Sequence, residues 1–251
     1  LLLFCKKEGL AFPNHTASIK LMSTYLARRT QLETYFDRTA SDAWARLTSD
    51  APVSGIRATV RAGRDRMRAN LLSWLPADMA GLRLLDAGCG TGALAVEAAS
   101  RGAHVTAIDL SPTLVALAQE RAPKNLSGRI DFAAGDMMDP AHGDFDYVVG
   151  MDSLIHYKPA DMARVLGAFA TRTKTAILFT VAPSTPLLNI MLVMGRLFPR
   201  ADRSPAIIPV APSKLLARIA ANPATANWRA GRAQRVNAAF YMSHALELVR
   251  A

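Results

Sequence analysis

Between Leu84 and Ser111 the chain reads LLDAGCGTGALAVEAASRGAHVTAIDLS, with Gly88, Gly90 and Gly92 lying between two aspartates, Asp86 and Asp109. Glycines after a first strand let the backbone approach a ligand closely and leave the amides at the start of the next helix free to donate. A carboxylate ending the second strand is placed to accept hydrogen bonds from ribose hydroxyls. Gly88-x-Gly90-x-x-Ala93 formally satisfies the dinucleotide fingerprint, which by itself is weak evidence. Asp86 argues against a dinucleotide. It precedes the turn where a pyrophosphate would enter, and like charges repel more strongly when buried. The same carboxylate suits a ligand that is cationic there. S-adenosylmethionine, with an α-ammonium, a sulfonium and no phosphate, is such a ligand. Farther on, Gly135-Asp136-Met137 puts Asp136 either where an adenine amino group could donate to it or at a helix N-cap.

These residues need a parallel α/β frame to hold them. From about Gly81 the chain alternates short β-rich runs with helical ones, the pattern of a parallel sheet covered by helices. LRLLDAG reads as a buried strand, GALAVEAASRG as a helix ended by Gly102, and AHVTAIDLS as a second strand. The helix SPTLVALAQERAP opens with Ser111 as N-cap and Pro112 at its first position. Strands follow at GRIDFAAGD, FDYVVGMDSL and KTAILFTVAP, with a helix at DMARVLGAFATRT before the last. The tail NWRAGRAQRVNAAFYMSHALELVR reads as an antiparallel pair of strands.

Three regions lie outside the alternation. The opening LLLFCKKEGL is too short to span a membrane and carries its charge on the wrong side for a signal peptide. Because Met22 begins MSTYLARR, residues 1–21 are expected to be upstream sequence outside the fold. Residues 22–78 predict a helical arm, with residues 79–251 forming the main domain. Residues 183–212, rich in proline and carrying the apolar run PLLNIMLVMGRLF, predict a cap inserted after the fifth strand. In the arm, Ile56, Val60, Met67, Leu71 and Trp74 recur at helical spacing, and Arg57, Arg61, Arg64 and Arg68 form a second stripe about a quarter turn away. That basic stripe suits an acidic membrane, an anionic ligand, or simply solvent.

Thirty basic against twenty acidic residues give a net charge of +10, which suits an anionic partner or merely aids solubility. Only Cys5 and Cys89 occur, far apart and with no partner cluster, so neither a disulfide framework nor a cysteine zinc site is expected, and a reducing cytoplasm is the expected compartment. Aromatic residues are sparse and do not interleave with basic ones as in chains that stack nucleic acid bases. No nucleic acid partner is expected.

LDAGCGTG, AIDLS, GD and FDYVVGMD, in this order and spacing, resemble the class I S-adenosylmethionine-dependent methyltransferases over about residues 80–250. The resemblance implies a Rossmann-like seven-stranded sheet, mostly parallel with an antiparallel C-terminal strand. It also implies S-adenosyl-L-methionine as cofactor and a site formed by Asp86, Ala87, Gly88, Cys89, Gly90, Asp109, Leu110, Asp136, Met137 and Met151. YFDRTASDAWARL, GDMMDPAHGDFDYVVGMDSLIHY and FTVAPSTPLL further resemble the magnesium-protoporphyrin IX O-methyltransferases of bacteriochlorophyll synthesis, from Met22 onward. This implies methyl esterification of one propionate of magnesium protoporphyrin IX, with Tyr35 and His156 at the positions linked to catalysis. It raises a magnesium-chelatase subunit as partner and peripheral contact with the inner membrane. Separately, residues 22–50 lie outside the sheet yet carry Tyr35 and Trp44, so they are expected to close over the cofactor. Other readings stay open at this level: methylation of another lipophilic carboxylate or hydroxyl, a nicotinamide dehydrogenase, or a basic binding protein without catalysis. The last leaves Asp86, Asp109 and Asp136 unexplained.

Overall fold

The computed structural model describes residues 15–39, 48, 55–184 and 206–251, with side chains of the first segment from Thr24 to Arg38. Trp44 and the apolar run 186–198 lie outside the described residues. Helix α1 spans His15–Thr34 and continues into a π-helical turn, Tyr35–Thr39. Its sequence holds no proline or glycine to stop it at Met22, so the helix crosses the boundary expected there.

The core is one seven-stranded sheet: β1 Arg83–Ala87, β2 His104–Asp109, β3 Arg129–Ala134, β4 Phe145–Gly150, β5 Thr173–Val181, β6 Trp228–Ala238 and β7 Tyr241–Arg250. The strand order is β3-β2-β1-β4-β5-β7-β6. The pairings among β1 to β5 are parallel, while β7 runs antiparallel to both β5 and β6. Central strands covered on both faces must be apolar throughout, and β1 meets this with Leu84, Leu85 and Ala87 all inaccessible to solvent. Asp86 is the exception in that strand, and it too is 2% exposed. Strand order reverses between β1 and β4, the switch point at whose carboxyl ends open α/β sheets receive ligands.

Helices α2 Ile56–Ser73, α3 Ala93–Ser100, α4 Pro112–Arg121, α5 Pro159–Arg172 and α6 Pro212–Ala220 cover the sheet. Ser111 caps α4 by accepting from Leu114 N at 3.2 Å, with Pro112 at the first position. Helix α3 stops before Gly102, whose φ is +95°. Helix α6, which the alternation did not predict, buries Leu215 and Ile219. Among the described residues no helix is long and apolar enough to cross a membrane.

The apolar stripe of α2 holds from Val60 to Trp74: Met67 and Leu71 are fully buried, Val60 and Trp74 partly so, and only Ile56, 55% exposed, departs from it. Close approach to β7 depends on Gly63. A Cβ there would lie 2.6 Å from Tyr241 Cδ1 and 2.7 Å from its Cβ, so only a bare backbone admits the ring. Gly63→Ala gains up to about 1 kcal/mol of helix propensity. Overpacking against the base of a buried ring costs roughly 1–3 kcal/mol. Gly63→Ala is therefore expected to lower the melting temperature by a few degrees. An unchanged or raised value by calorimetry would show that the helix–strand contact is not tight.

Candidate active site

A cavity of about 640 Å³ opens at the carboxyl ends of β1, β2 and β4. The turn after β1 lines it through Gly88 and Gly90, and the turn's three glycines, Gly88, Gly90 and Gly92, stand at φ +85°, +54° and +79°. The amides of this turn are not left for a ligand. Gly88 N and Cys89 N donate to Ile108 O at 2.8 and 2.9 Å, and Gly90 N donates to Asp109 Oδ2 at 2.8 Å. These donors close the turn onto β2. The glycines serve geometry: a Cβ on Gly88 would sit 2.4 Å from Ser153 Cβ, whereas one on Gly90 would meet nothing within 4 Å. Gly90 thus leaves room in front of it.

The two carboxylates behave differently. Asp109 Oδ1 accepts from Ser111 N at 3.0 Å and Oδ2 from Gly90 N, which leaves further lone pairs for incoming hydroxyls. Burial raises its pKa, and its backbone donors oppose that shift. Asp86 is pushed up to about 7, first by burial and then by the charge of Asp109, against one backbone bond from Ala95. Asp86 Oδ2 is buried with no hydrogen-bond partner among the described residues. A buried orphan acceptor of this kind matches a ligand that brings N–H donors and positive charge. Burial also drives the Cys89 thiol well above its ordinary pKa, so it is a wall and not a nucleophile.

Asp86, Gly88, Cys89, Gly90, Asp109, Leu110, Met137, Met151 and His156 all line the cavity. Three predicted residues are off that lining. Ala87 is sealed inside β1. Tyr35 packs edge-on against Phe36, ring centres 5.2 Å apart, and it is Phe36 that lines the cavity. Asp136 faces the arm: it accepts from Tyr25 Oη at 2.6 Å and from Arg29 Nη1 at 2.9 Å, and caps its own turn through Met138 N at 2.9 Å. Adjacent Met137 takes the place on the wall.

Tyr25 escaped sequence reasoning, although Tyr25, Arg28, Arg29 and Leu32 share one helix face by their i, i+3, i+4, i+7 spacing. Its ring stacks on Tyr157 at 5.2 Å, lies under the Arg164 guanidinium and lines the cavity. Arg28 Nε donates to His156 O at 2.9 Å and Arg28 Nη2 to Ala206 O at 2.7 Å. Asp37 accepts from Ser111 Oγ and Thr113 N, both at 3.1 Å, at the start of α4. His156 is buried, and its ring meets Phe36 at 5.6 Å. The arm is therefore pinned over the cavity by polar contacts at several points along its length. Arg61, Arg64 and Arg68 of α2 also line the cavity, with Asp152, while Arg57 is exposed and off it.

A family model described as Methyltransferase domain matches residues 84–175, and one described as Magnesium-protoporphyrin IX methyltransferase C-terminus matches residues 150–250. The Magnesium-protoporphyrin O-methyltransferase of Rhodobacter capsulatus is 55% identical over 194 residues, 77% of this chain and 87% of that one. This chain belongs to the magnesium-protoporphyrin O-methyltransferase family. The Synechocystis relative of the same name is 30% identical over 180 residues, 70% of this chain and 78% of that one. A crystal structure of magnesium protoporphyrin IX methyltransferase from Synechocystis PCC 6803 with bound SAH superposes with a TM-score of 0.76 at 27% identity, covering 89% of this chain and 100% of that one. The fold is that of the α/β methyltransferases.

Removing the Tyr25 hydroxyl tests the arm's anchorage. A hydrogen bond to a charged group contributes about 1.5–3 kcal/mol, and Asp136 keeps Arg29, so Tyr25→Phe should cost near the lower figure. Amide exchange of residues 24–38 should quicken by about tenfold while β1 stays protected. Unchanged exchange in the arm would show that the Asp136 contact does not hold it.

Proposed function

We propose that this protein transfers a methyl group from S-adenosylmethionine to one propionate carboxylate of magnesium protoporphyrin IX, giving the monomethyl ester in bacteriochlorophyll synthesis. The observation that carries the reading is the 55% identity with the Rhodobacter capsulatus enzyme, over 87% of that enzyme. Bound S-adenosylmethionine supplies a methyl group on a cationic sulfur. The residues present fit it. Asp86 offers the orphan acceptor for an ammonium, Asp109 has lone pairs for ribose hydroxyls, and Gly90 leaves open space in front of its own backbone.

A propionate is already ionised near pH 7, so its oxygen needs no strong base to become nucleophilic. The protein's task is alignment, and orientation alone can supply roughly 7–11 kcal/mol in favourable cases. His156, buried beside Phe36 on the cavity wall, is suited to donate a hydrogen bond that fixes the carboxylate. Tyr35 supports Phe36 from outside the lining, which favours a positioning role for it over proton removal. The arm over the opening excludes water and so strengthens the electrostatic interactions within. A magnesium-chelatase subunit as donor of the porphyrin, and peripheral contact with the inner membrane, extend this reading; the net charge of +10 and the exposed Ile56 and Phe240 support them.

Incubation with labelled S-adenosylmethionine and magnesium protoporphyrin IX is expected to give labelled monomethyl ester. No ester from this porphyrin, with methylation of a different lipophilic carboxylate or hydroxyl, would overturn the substrate assignment. Asp86 adds a pH signature. In the ligand-free protein its carboxyl is half protonated near pH 7, and a cation binds the ionised form. Cofactor affinity should therefore fall on the order of tenfold from about pH 7 to about pH 5.5, and Asp86→Asn should flatten that slope. Calorimetry giving equal slopes for both proteins would remove Asp86 from the ammonium site.

A further inference from the structure

His156 borders two cavities. Besides the large one it lines a smaller one of about 310 Å³, whose walls include Arg28 and Gln31 of α1, Lys158, and Ala206 and Ile208. A residue placed in this way has fewer packed neighbours to hold it, so directional bonds carry more of its placement. His156 ends the short 3₁₀ turn Leu154–His156, in which Tyr157 N donates to Leu154 O at 3.0 Å. That bond closes the turn on itself without tying it to other elements. Two bonds from distant segments do so: Ile208 N donates to Ile155 O at 2.8 Å, and Arg28 Nε donates to His156 O at 2.9 Å.

Arg28 joins three segments far apart in the chain. Its Nε holds the turn after β4, its Nη2 donates to Ala206 O at 2.7 Å, and its Nη1 donates to Gln31 Oε1 at 3.2 Å within α1. The segment it grips at Ala206 is itself fixed to the end of β5. There Val210 N donates to Ala182 O at 2.9 Å and Ser184 N to Val210 O at 3.0 Å. Each of the three Arg28 bonds ends on a neutral oxygen, so the guanidinium serves here as a planar fork spanning two backbone carbonyls. A lysine ammonium keeps the charge but lacks the fork. Arg28 is off the lining of the large cavity, so whatever it does for the reaction it does through another residue.

We infer that Arg28 is a positioning residue for methyl transfer, holding His156 where its ring can fix the reacting carboxylate. The inference rests on the role proposed above for His156. Arg28 secures the main chain of His156, and the main chain sets the direction in which the side chain leaves it. The ring then meets Phe36, which the same arm carries, at 5.6 Å. The arm therefore supports both the backbone and the ring of this one residue. In-line methyl transfer is sensitive to such support, because a misplacement of about 1 Å can cost on the order of a hundredfold in rate. An Arg28 that merely bolted the arm down would affect the reaction independently of His156.

The test combines a double-mutant cycle with the nuclear magnetic resonance signal of the His156 ring, assigned by its loss in His156→Phe. Arg28→Met should move that signal and lower kcat by about ten- to a hundredfold, with S-adenosylmethionine affinity unchanged. In a His156→Phe background most of that loss should vanish, since the two residues act as one unit. Arg28→Lys should not restore kcat, which separates the fork from the charge. If Arg28→Met fails to bind cofactor, Arg28→Gln takes its place in the cycle. An unmoved ring signal, or losses that simply multiply, would overturn the inference and leave the functional reading intact. No ester from the unaltered protein would overturn the functional reading, and the ring signal would still decide whether Arg28 places His156.

Discussion

A carboxylate in the protein interior without a countercharge is held there at a cost, and Asp86 is such a group. It sits in the central strand, 2% exposed, beside a second carboxylate, with one oxygen lacking a partner among the described residues. Folding alone does not repay this arrangement. A ligand that brings positive charge would, whereas a pyrophosphate would add like charge to the two carboxylates. The inward-turned amides of Gly88, Cys89 and Gly90 follow from the same constraint. A phosphate site would aim them at the ligand, and here they close the turn that presents Asp86 and Asp109.

Basic side chains gather around that acidic site. The arm carries Arg28 and Arg29, which anchor it outside the cavity lining, and α2 adds Arg61, Arg64 and Arg68 to the lining itself. Many of these cations meet an acceptor that fixes them: Asp136 for Arg29, backbone oxygens for Arg28 and Asp152 for Arg64. The loop that carries Asp136 and Met137 is itself held by side chains. Arg172 donates to the carbonyls of Met137 and Asp139 from within the core, and His142 Nε2 lies 3.0 Å from Asp136 O. The wall of the cavity is therefore rigid where the arm attaches to it. An arm closing on such a wall can orient a substrate as well as cover it.

The sheet explains why these groups meet at all. Strands β1, β2 and β4 end together at the switch point and bring the glycine turn, Asp109 and Asp152 to one edge. Antiparallel β7 then carries Tyr241 and Ser243 to Asp152 from the other side. Gly63 lets α2 settle close enough to Tyr241 for Arg64 to join them.

Sequence alone determined the frame and the grouping of the acidic residues and glycines at one end of the central strands. Apolar runs bounded by Ser111, Pro112 and Gly102 are local signals. Asp86, Gly88, Gly90 and Asp109 lie within one strand–helix–strand unit, so their relative placement follows from chain geometry over a few residues. The roles of Asp136, Tyr25 and Asp152 were decided only by tertiary structure. Asp136 reads equally as an adenine acceptor or a cap until α1 arrives across the sheet with Tyr25 and Arg29. Asp152 gains its meaning from partners on α2, β5 and β7, far away along the chain. Helix periodicity placed Arg57 with the other three arginines, but packing against β7 turned three of them inward and left the first in solvent. Local periodicity fixes which residues share a face. What that face meets is set by long-range packing, which no window of sequence contains.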